Sequence, residues 1–341
     1  MKLALALVLV ATVAHADVWQ HAIATGSPDV IDEIYQRQLR QGDDEAIQAV
    51  VQSASTQIVT RHIDLAIRAY QTAATTHPAD GEPYYRIGML LYRFFDCTDP
   101  EVQPPTCIPD DPTLRRRDFT HYDRLTQVVA AWDAFEAHAP LDPRVNALIV
   151  DRAILRTKLL TAKTNGVALL EGAARDYKTA LDRRDGLSLT PLEQIWGNLA
   201  ETYMMLGRLD DSIDAYKQAL LVGAGASTAY GLAVAYDRDD RSLSARDVIL
   251  DEGITGFETY NKDFRSGRIF YVPAGEESYY FALIEETLGK TPDAISDWQV
   301  YLRSGAHPEF QPRARAHLEA LLRDQKLHPA PPPPTPSELS F

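Results

Sequence analysis

The sequence predicts an all-α fold built from consecutive pairs of helices. Three observations lead to this prediction. Apolar residues recur at helical spacing, a pattern of small residue, aromatic residue and small residue returns along the chain, and Gly or Pro marks the ends of these segments. The length of 341 residues would allow two ordinary domains. Internal repeats take precedence over this length-based estimate of domain number, because a repeated unit indicates an extended array of repeats and not separate domains.

The clearest helix pair begins at Trp196. Trp196, Leu199 and Tyr203 fall on one stripe of a first helix at i, i+3 and i+7. Gly207 ends that helix and lets the chain reverse. The second helix then places small and aromatic residues on the face that meets the first: Ser212, Tyr216 and Ala219.

The same second-helix pattern recurs along the chain. Full copies are Ala66-x3-Tyr70-x2-Ala73, Ala173-x3-Tyr177-x2-Ala180 and Ala294-x3-Trp298-x2-Tyr301, and partial copies surround Trp132 and Ala245-x3-Ile249. Together with Trp196-x2-Leu199-Ala200-x2-Tyr203, these segments resemble the tetratricopeptide-repeat (TPR) family over most of residues 43–308. Ala200 stands where that family usually has Gly, and Ser212 where it has Ala. The resemblance implies a right-handed superhelical solenoid of five to six helix-turn-helix repeats with capping helices.

The chain divides into segments around these repeats. Residues 1–16 have the positive start, apolar run and Ala14-His15-Ala16 site of a secretory signal peptide, so export to the periplasm or the outside is expected. Ser27-Pro28-Asp29 opens a capping helix to about Arg40. The predicted segments are 17–42 for this cap, 43–308 for the repeats, 309–327 for a C-terminal capping helix and 328–341 for a Pro-rich disordered tail.

Two insertions interrupt the repeats, at about 96–117 and 257–275. The first holds the two cysteines of the chain, Cys97 and Cys107. In an exported protein two nearby cysteines predict one disulfide. The basic run at residues 115–117 is interpreted as a solvated face. In the second insertion, residues 268–273 are β-branched and aromatic and favour a short extended segment.

The net charge limits the classes of partner that the chain is expected to bind. The net charge is −14, and loss of Lys2 with the signal peptide would make it −15. Such a chain repels nucleic acids and anionic membrane surfaces. No later segment is apolar over the roughly 20 residues that a membrane span needs.

Catalytic and metal-binding motifs are absent from the sequence. HExxH, GxSxG and the phosphate-binding GxxxxGK[ST] do not occur, and no histidines have a spacing that suggests a shared metal. The run Asp237-Arg238-Asp239-Asp240 lacks the Gly and Glu of a calcium loop and predicts a polar turn. We therefore expect a protein that is not an enzyme and has no cofactor.

In TPR proteins the first helix of each repeat lines a concave groove. Anchored on Trp196, the resemblance places thirteen residues there: Tyr85, Arg86, Met89, Tyr92, Arg144, Asp151, Gln194, Asn198, Glu201, Met204, Tyr230, Tyr279 and Tyr280. Aromatic and polar groups of this kind suit an extended peptide. The expected function is a protein–protein interaction scaffold of the cell envelope. A peptidoglycan- or glycan-binding module and a structural subunit of an extracellular assembly are the alternatives, and the oligomeric state stays open.

Overall fold

A computed structural model describes most of the chain. It covers residues 28–97, 104–108, 113, 121–160, 166–183, 190–266, 269 and 274–327. The expected signal peptide, Ser27, the basic run at 115–117 and the Pro-rich tail lie outside these ranges. Ile269 is the one described residue of the expected extended segment 268–273. Within the described ranges all regular structure is helical, so the all-α prediction is confirmed.

Thirteen α-helices follow one another in the described residues. They are α1 Pro28–Val51, α2 Thr56–Thr76, α3 Glu82–Phe95, α4 Tyr122–His138, α5 Pro143–Lys158, α6 Gly166–Arg183, α7 Leu192–Met205, α8 Leu209–Leu221, α9 Ala226–Arg238, α10 Ser242–Arg265, α11 Glu277–Thr287, α12 Thr291–Ser304 and α13 Gln311–Leu327. Two single 3-10 turns, Pro105–Cys107 and Pro308–Phe310, accompany them.

The helices pack in chain order within two compact units. The first unit ends at Leu148 and the second begins at Ile149. The most extensive contacts join α1 with α2 and α3 with α4 in the first unit. In the second unit they join α7 with α8, α9 with α10 and α11 with α12. Neighbouring helices therefore form the adjacent pairs that the repeated pattern predicts.

Helical glycines allow close approach inside two pairs of the first unit. A Cβ atom on Gly88 of α3 would lie 2.2 Å from Nε1 of Trp132 on α4. A Cβ atom on Gly42 of α1 would lie 2.3 Å from the ring of Tyr70 on α2. Each ring therefore needs a residue without a side chain opposite it. Ala66, on the same helix as Tyr70, is fully buried as well.

The first helix is longer than expected. Its predicted end was about Arg40, but α1 continues to Val51. Gly42 looks like a helix terminator in the sequence. In the structure it is buried against Tyr70, and the helix passes through it.

The second insertion begins as helix. The long helix α10 changes direction at Gly253, whose backbone angles are φ 60° and ψ −160°. The part of α10 beyond this residue buries Phe257 and Tyr260, and the rings of both lie within 6.1 Å of the Phe281 ring on α11. Residues 257–265 of the predicted insertion therefore belong to α10.

The disulfide Cys97–Cys107 is present, with an S–S distance of 2.11 Å, which confirms the prediction. The end of the loop that contains it lies against two helices. Thr56 Oγ1 on α2 donates a hydrogen bond of 3.2 Å to the carbonyl of Pro105. Thr106 is buried, and its hydroxyl donates to the carbonyl of Phe94 at the end of α3. The crosslink thus fastens this part of the insertion to the first unit.

Candidate binding site

Three of the five predicted groove residues in the first unit lie close together. The Arg144 guanidinium stacks 4.2 Å above the ring of Tyr85 and pairs with Glu82 at 2.7 Å. Arg86 pairs with the same Glu82 at 2.7 Å and also with Asp43. The result is a half-buried cluster of two cations, their carboxylates and one aromatic ring. Such a surface offers hydrogen bonds and a flat apolar face to a ligand.

The other two predicted residues of this unit lie further along α3. Met89 and Tyr92 are half-buried, and Tyr92 meets the Trp132 ring edge-on with 5.1 Å between centroids. Tyr85, Met89 and Tyr92 are spaced i, i+4 and i+7, so they share one stripe of α3. This partly accessible stripe is the first candidate contact surface.

In the second unit four of the eight predicted groove residues are buried. Met204, Tyr230 and Tyr279 are completely inaccessible, and Tyr280 is 1% exposed. Helices that follow in the chain cover two of them: Tyr230 meets the ring of Tyr260 on α10, and Tyr279 packs against Trp298 and Tyr301 of α12. A buried side chain presents no surface to a ligand, so these four are not part of the candidate site.

The remaining four residues keep some exposure. Gln194 is exposed, whereas Asp151, Asn198 and Glu201 are half-buried. Asn198 forms a side-chain hydrogen bond with Tyr177. Gln194, Asn198 and Glu201 are spaced i, i+4 and i+7 on α7, as the first-unit stripe is on α3. They form the second candidate contact surface.

Glu201 is the most constrained member of this stripe. One of its carboxylate oxygens accepts hydrogen bonds from the hydroxyls of Tyr216, at 2.5 Å, and Tyr280, at 2.8 Å. Burial raises the pKa of Glu201, and the nearby Glu276 raises it further. The two tyrosine hydroxyls oppose this shift by stabilising the charged form.

A network around Asp237 joins three helices of the second unit. The Asp237 carboxylate, which is completely buried, accepts hydrogen bonds from Tyr279 at 2.7 Å and Arg313 at 2.7 Å. His317 lies between Asp237, at 3.1 Å, and Glu286, at 3.0 Å. Burial alone would lower the pKa of His317, but these two carboxylates raise it to about 9. His317 is therefore a cation at neutral pH and fixes α13 to α9 and α11.

The neighbouring Arg238 is also buried. Its guanidinium pairs with Glu276, and both side chains are completely inaccessible. The guanidinium stacks between the rings of Tyr279, at 4.5 Å, and Phe310, at 4.3 Å. Burial alone would lower the pKa of Arg238, but Glu276 outweighs it and raises the pKa. The sequence was interpreted as a polar turn over residues 237–240, and this is wrong for Asp237 and Arg238, which end α9 inside the unit.

A pocket opens on the other side of α7. Trp196, Leu199 and Tyr203 of α7 meet α6 and α8 there, and the cavity measures about 240 Å³. Its other lining residues are Lys178, Leu181 and Asp182 from α6 and Asp211, Asp214, Ala215 and Gln218 from α8. The sequence identified Trp196 as a packing residue of its repeat. It gave no indication of a cavity, because cavities depend on how three helices meet.

The described residues also show neither a metal-binding cluster nor a membrane-spanning helix. Within these ranges no group of three or more His, Cys, Asp or Glu side chains is arranged to hold a metal ion. None of the helices described has both the length and the apolar character needed to cross a bilayer. The chain matches none of the protein-family models and none of the curated proteins with which it was compared.

Proposed function

We propose that this chain is a TPR-like solenoid that serves as a non-enzymatic protein–protein interaction scaffold of the cell envelope. The observation that most supports this proposal is how glycines and aromatic rings pack within the helix pairs of the first unit. Gly88 faces Trp132 and Gly42 faces Tyr70, each glycine on a first helix and each ring on the second. This is the arrangement that the small and aromatic positions of the TPR pattern require. A right-handed superhelix of five to six repeats is the form such pairs would build.

The proposed ligand is an extended peptide or a segment of a partner subunit. Each of the helices α3 and α7 carries its own stripe of partly accessible side chains, at i, i+4 and i+7. The first stripe supplies aromatic area from Tyr85 and Tyr92, and the second supplies polar groups from Gln194 and Asn198. Flat rings give contact area at low entropic cost, and amides can pair with a peptide backbone.

The proposed location follows from the disulfide. Crosslinks such as Cys97–Cys107 persist in oxidising compartments and are rare in a reducing cytosol. A signal peptide over residues 1–16 would bring the chain to such a compartment. Mass spectrometry of the mature protein from a cell-envelope fraction tests this: an N-terminus at Asp17 and an oxidised cysteine pair support export.

Peptide selection tests the binding proposal. A displayed library of random peptides is selected on the wild-type chain, and the affinity of the best peptide is measured by calorimetry. The test variant, Met89→Arg with Gln194→Arg, places one bulky cation on each stripe. The control, Gln71→Arg with Gln299→Arg, adds the same charge at exposed positions of second helices α2 and α12.

We expect the test variant to weaken binding by at least about tenfold, the usual scale of a disrupted central contact. The control should stay within about twofold of the wild type. If both variants bind equally well, the peptide occupies another surface. If no peptide is selected but the protein pellets with purified peptidoglycan, the glycan alternative replaces the scaffold.

A further inference from the structure

The pocket beside Trp196 has the size of one side chain. Its volume of about 240 Å³ is below the roughly 300–1,000 Å³ that small-molecule pockets span. Leu181, Leu199 and Ala215 are buried and form an apolar base. Such a cavity suits the stem of one long side chain, because its methylene groups would cover this apolar base.

The rim of the pocket is acidic. The exposed carboxylates Asp182, Asp211 and Asp214 line it, and Lys178 is the one cation among its lining residues. Asp211 already pairs with Arg208 at 2.7 Å, and the Nζ atom of Lys217 lies 3.9 Å from Asp214 in a more exposed pair. Asp182 and Asp214 come from different helices, α6 and α8, and both line the pocket. A cationic end group seated there would meet carboxylates from two helices.

The walls of the pocket are aromatic. Trp196 is half-buried, and Tyr203 is nearly buried. The Arg208 guanidinium already lies 4.4 Å from the centroid of the Tyr203 ring. The protein thus stacks one of its own arginines on one wall, and Trp196 supplies a second wall. Tryptophan attracts cations more strongly than the other aromatic residues do.

We propose that this pocket binds an arginine side chain of a partner protein. Its stem would lie on Leu199 and Ala215, its planar guanidinium against Trp196, and its charge between Asp182 and Asp214. Arginine is favoured over lysine because a planar guanidinium stacks on rings and forms several directed hydrogen bonds. The net charge of −14 would attract such a basic segment.

This site is separate from the proposed peptide stripe. On α7 the pocket residues Trp196 and Tyr203 lie on the side opposite Gln194 and Asn198, because successive helical residues turn by about 100°. A ligand could therefore occupy either site alone. The inference does not rest on the proposed function, and its experiment uses different residues.

The test uses a fluorescein-labelled hexa-arginine peptide and the full chain in low-salt buffer. Fluorescence anisotropy gives the dissociation constant, and the tryptophan emission of the protein gives a second readout. One variant, Asp182→Asn with Asp214→Asn, removes the two rim charges. The matched control, Asp247→Asn with Asp251→Asn, removes two exposed charges from α10. Trp196→Leu and Trp196→Phe examine the wall, and circular dichroism checks that each variant is folded.

We expect the rim variant to weaken binding about tenfold and the α10 control less than about twofold, because only the rim charges touch the ligand. Trp196→Leu should weaken binding about fivefold, and Trp196→Phe should retain most of it because an aromatic wall remains. A hexalysine peptide should bind several-fold more weakly than hexa-arginine.

Three outcomes would overturn the proposal. The first is that the wild type fails to bind hexa-arginine. The second is that the two double variants lose the same affinity. The third is that a folded Trp196→Leu variant binds like the wild type. The second outcome would show that the peptide responds only to the overall negative charge. If Trp196→Leu does not fold, the comparison of the two double variants and the Trp196→Phe result decide.

Discussion

The two units differ in how far their ion pairs are exposed to solvent. In the first unit the ion pairs are partly exposed: Arg144 pairs with Glu82, and the two side chains are 38% and 23% accessible. In the second unit Arg238 and Glu276 are both inaccessible, and Arg152 meets Asp176 through two hydrogen bonds while 4% exposed. Similar residue types therefore have different energetic weight in the two regions.

The difference follows from what surrounds the charges. Water screens the pairs of the first unit, so each contributes little to stability. The charges of the two buried pairs in the second unit have left water, so each depends on its partner. A covalent crosslink stabilises the first unit, while α9, α11 and α13 of the second unit are joined by buried polar contacts. Four variants probe this contrast.

The largest effect is expected for Arg238→Met in the second unit. Removing the guanidinium leaves Glu276 buried without its partner, which typically costs about 3–5 kcal/mol. The free energy of unfolding is measured by chemical denaturation, with hydrogen exchange locating the loss in α9 and α11. The control is the double variant Arg238→Met with Glu276→Leu, which should recover much of the loss. A double variant as unstable as the single one would show that the orphaned charge is not the cause.

The disulfide is the next largest contribution. Replacing both Cys97 and Cys107 by Ala should destabilise the first unit by roughly 2–3 kcal/mol, since the unfolded chain regains loop entropy. Hydrogen exchange should quicken in α2 and α3 but not in α9. Equal acceleration in both units would contradict the view that the crosslink acts on one of them.

Glu285 should give the second unit a pH-dependent stability. Burial, followed by the nearby Asp297 and Asp293, raises its pKa to about 7 from an ordinary 4.5. The folded chain therefore keeps a proton that the unfolded chain releases at lower pH, so stability falls as pH rises from about 4.5 to 7. Glu285→Gln should remove on the order of 1–2 kcal/mol of this fall. Denaturation at pH 5 and pH 8 measures it, and equal slopes in the two proteins would contradict the assignment.

The smallest effect is expected for Arg144→Gln in the first unit. Its partly exposed pairs with Glu82 and Asp142 should together contribute only about 1 kcal/mol. Raising the salt concentration should shrink this difference further, because exposed pairs are screened. Denaturation at 0.05 M and 0.5 M salt tests this, and a loss above about 2 kcal/mol would place Arg144 with the buried pairs.

Sequence patterns predicted the positions where helices meet. Tyr70, Tyr177 and Tyr216 were expected on the inner faces of second helices, and all three are buried. These positions depend on contacts within one helix pair or with the next, which the repeat spacing fixes. The pattern of small and aromatic residues therefore carries enough information to place them.

The predicted groove residues are less accessible than the sequence indicated, because the burial of a side chain depends on distant segments of the chain. Tyr279 has the right spacing for a first-helix surface, yet Trp298 and Tyr301 of α12 cover it and Asp237 of α9 accepts its hydrogen bond. The burial of Arg238 also depends on a distant residue, since its partner Glu276 lies 38 residues away in the chain. No local pattern shows that two such polar groups will meet inside the protein.

The backbone conformation of Gly253 limits the substitutions that the chain tolerates at this position. Its φ of 60° and ψ of −160° fall in a region that essentially only glycine occupies. No atom lies within 4 Å of where a Cβ would be, so the restriction comes from the backbone and not from space. In a library of all single substitutions, every replacement of Gly253 should therefore lower stability by about 1–3 kcal/mol. Its neighbour Ile254, 61% exposed, should accept nearly all other amino acids.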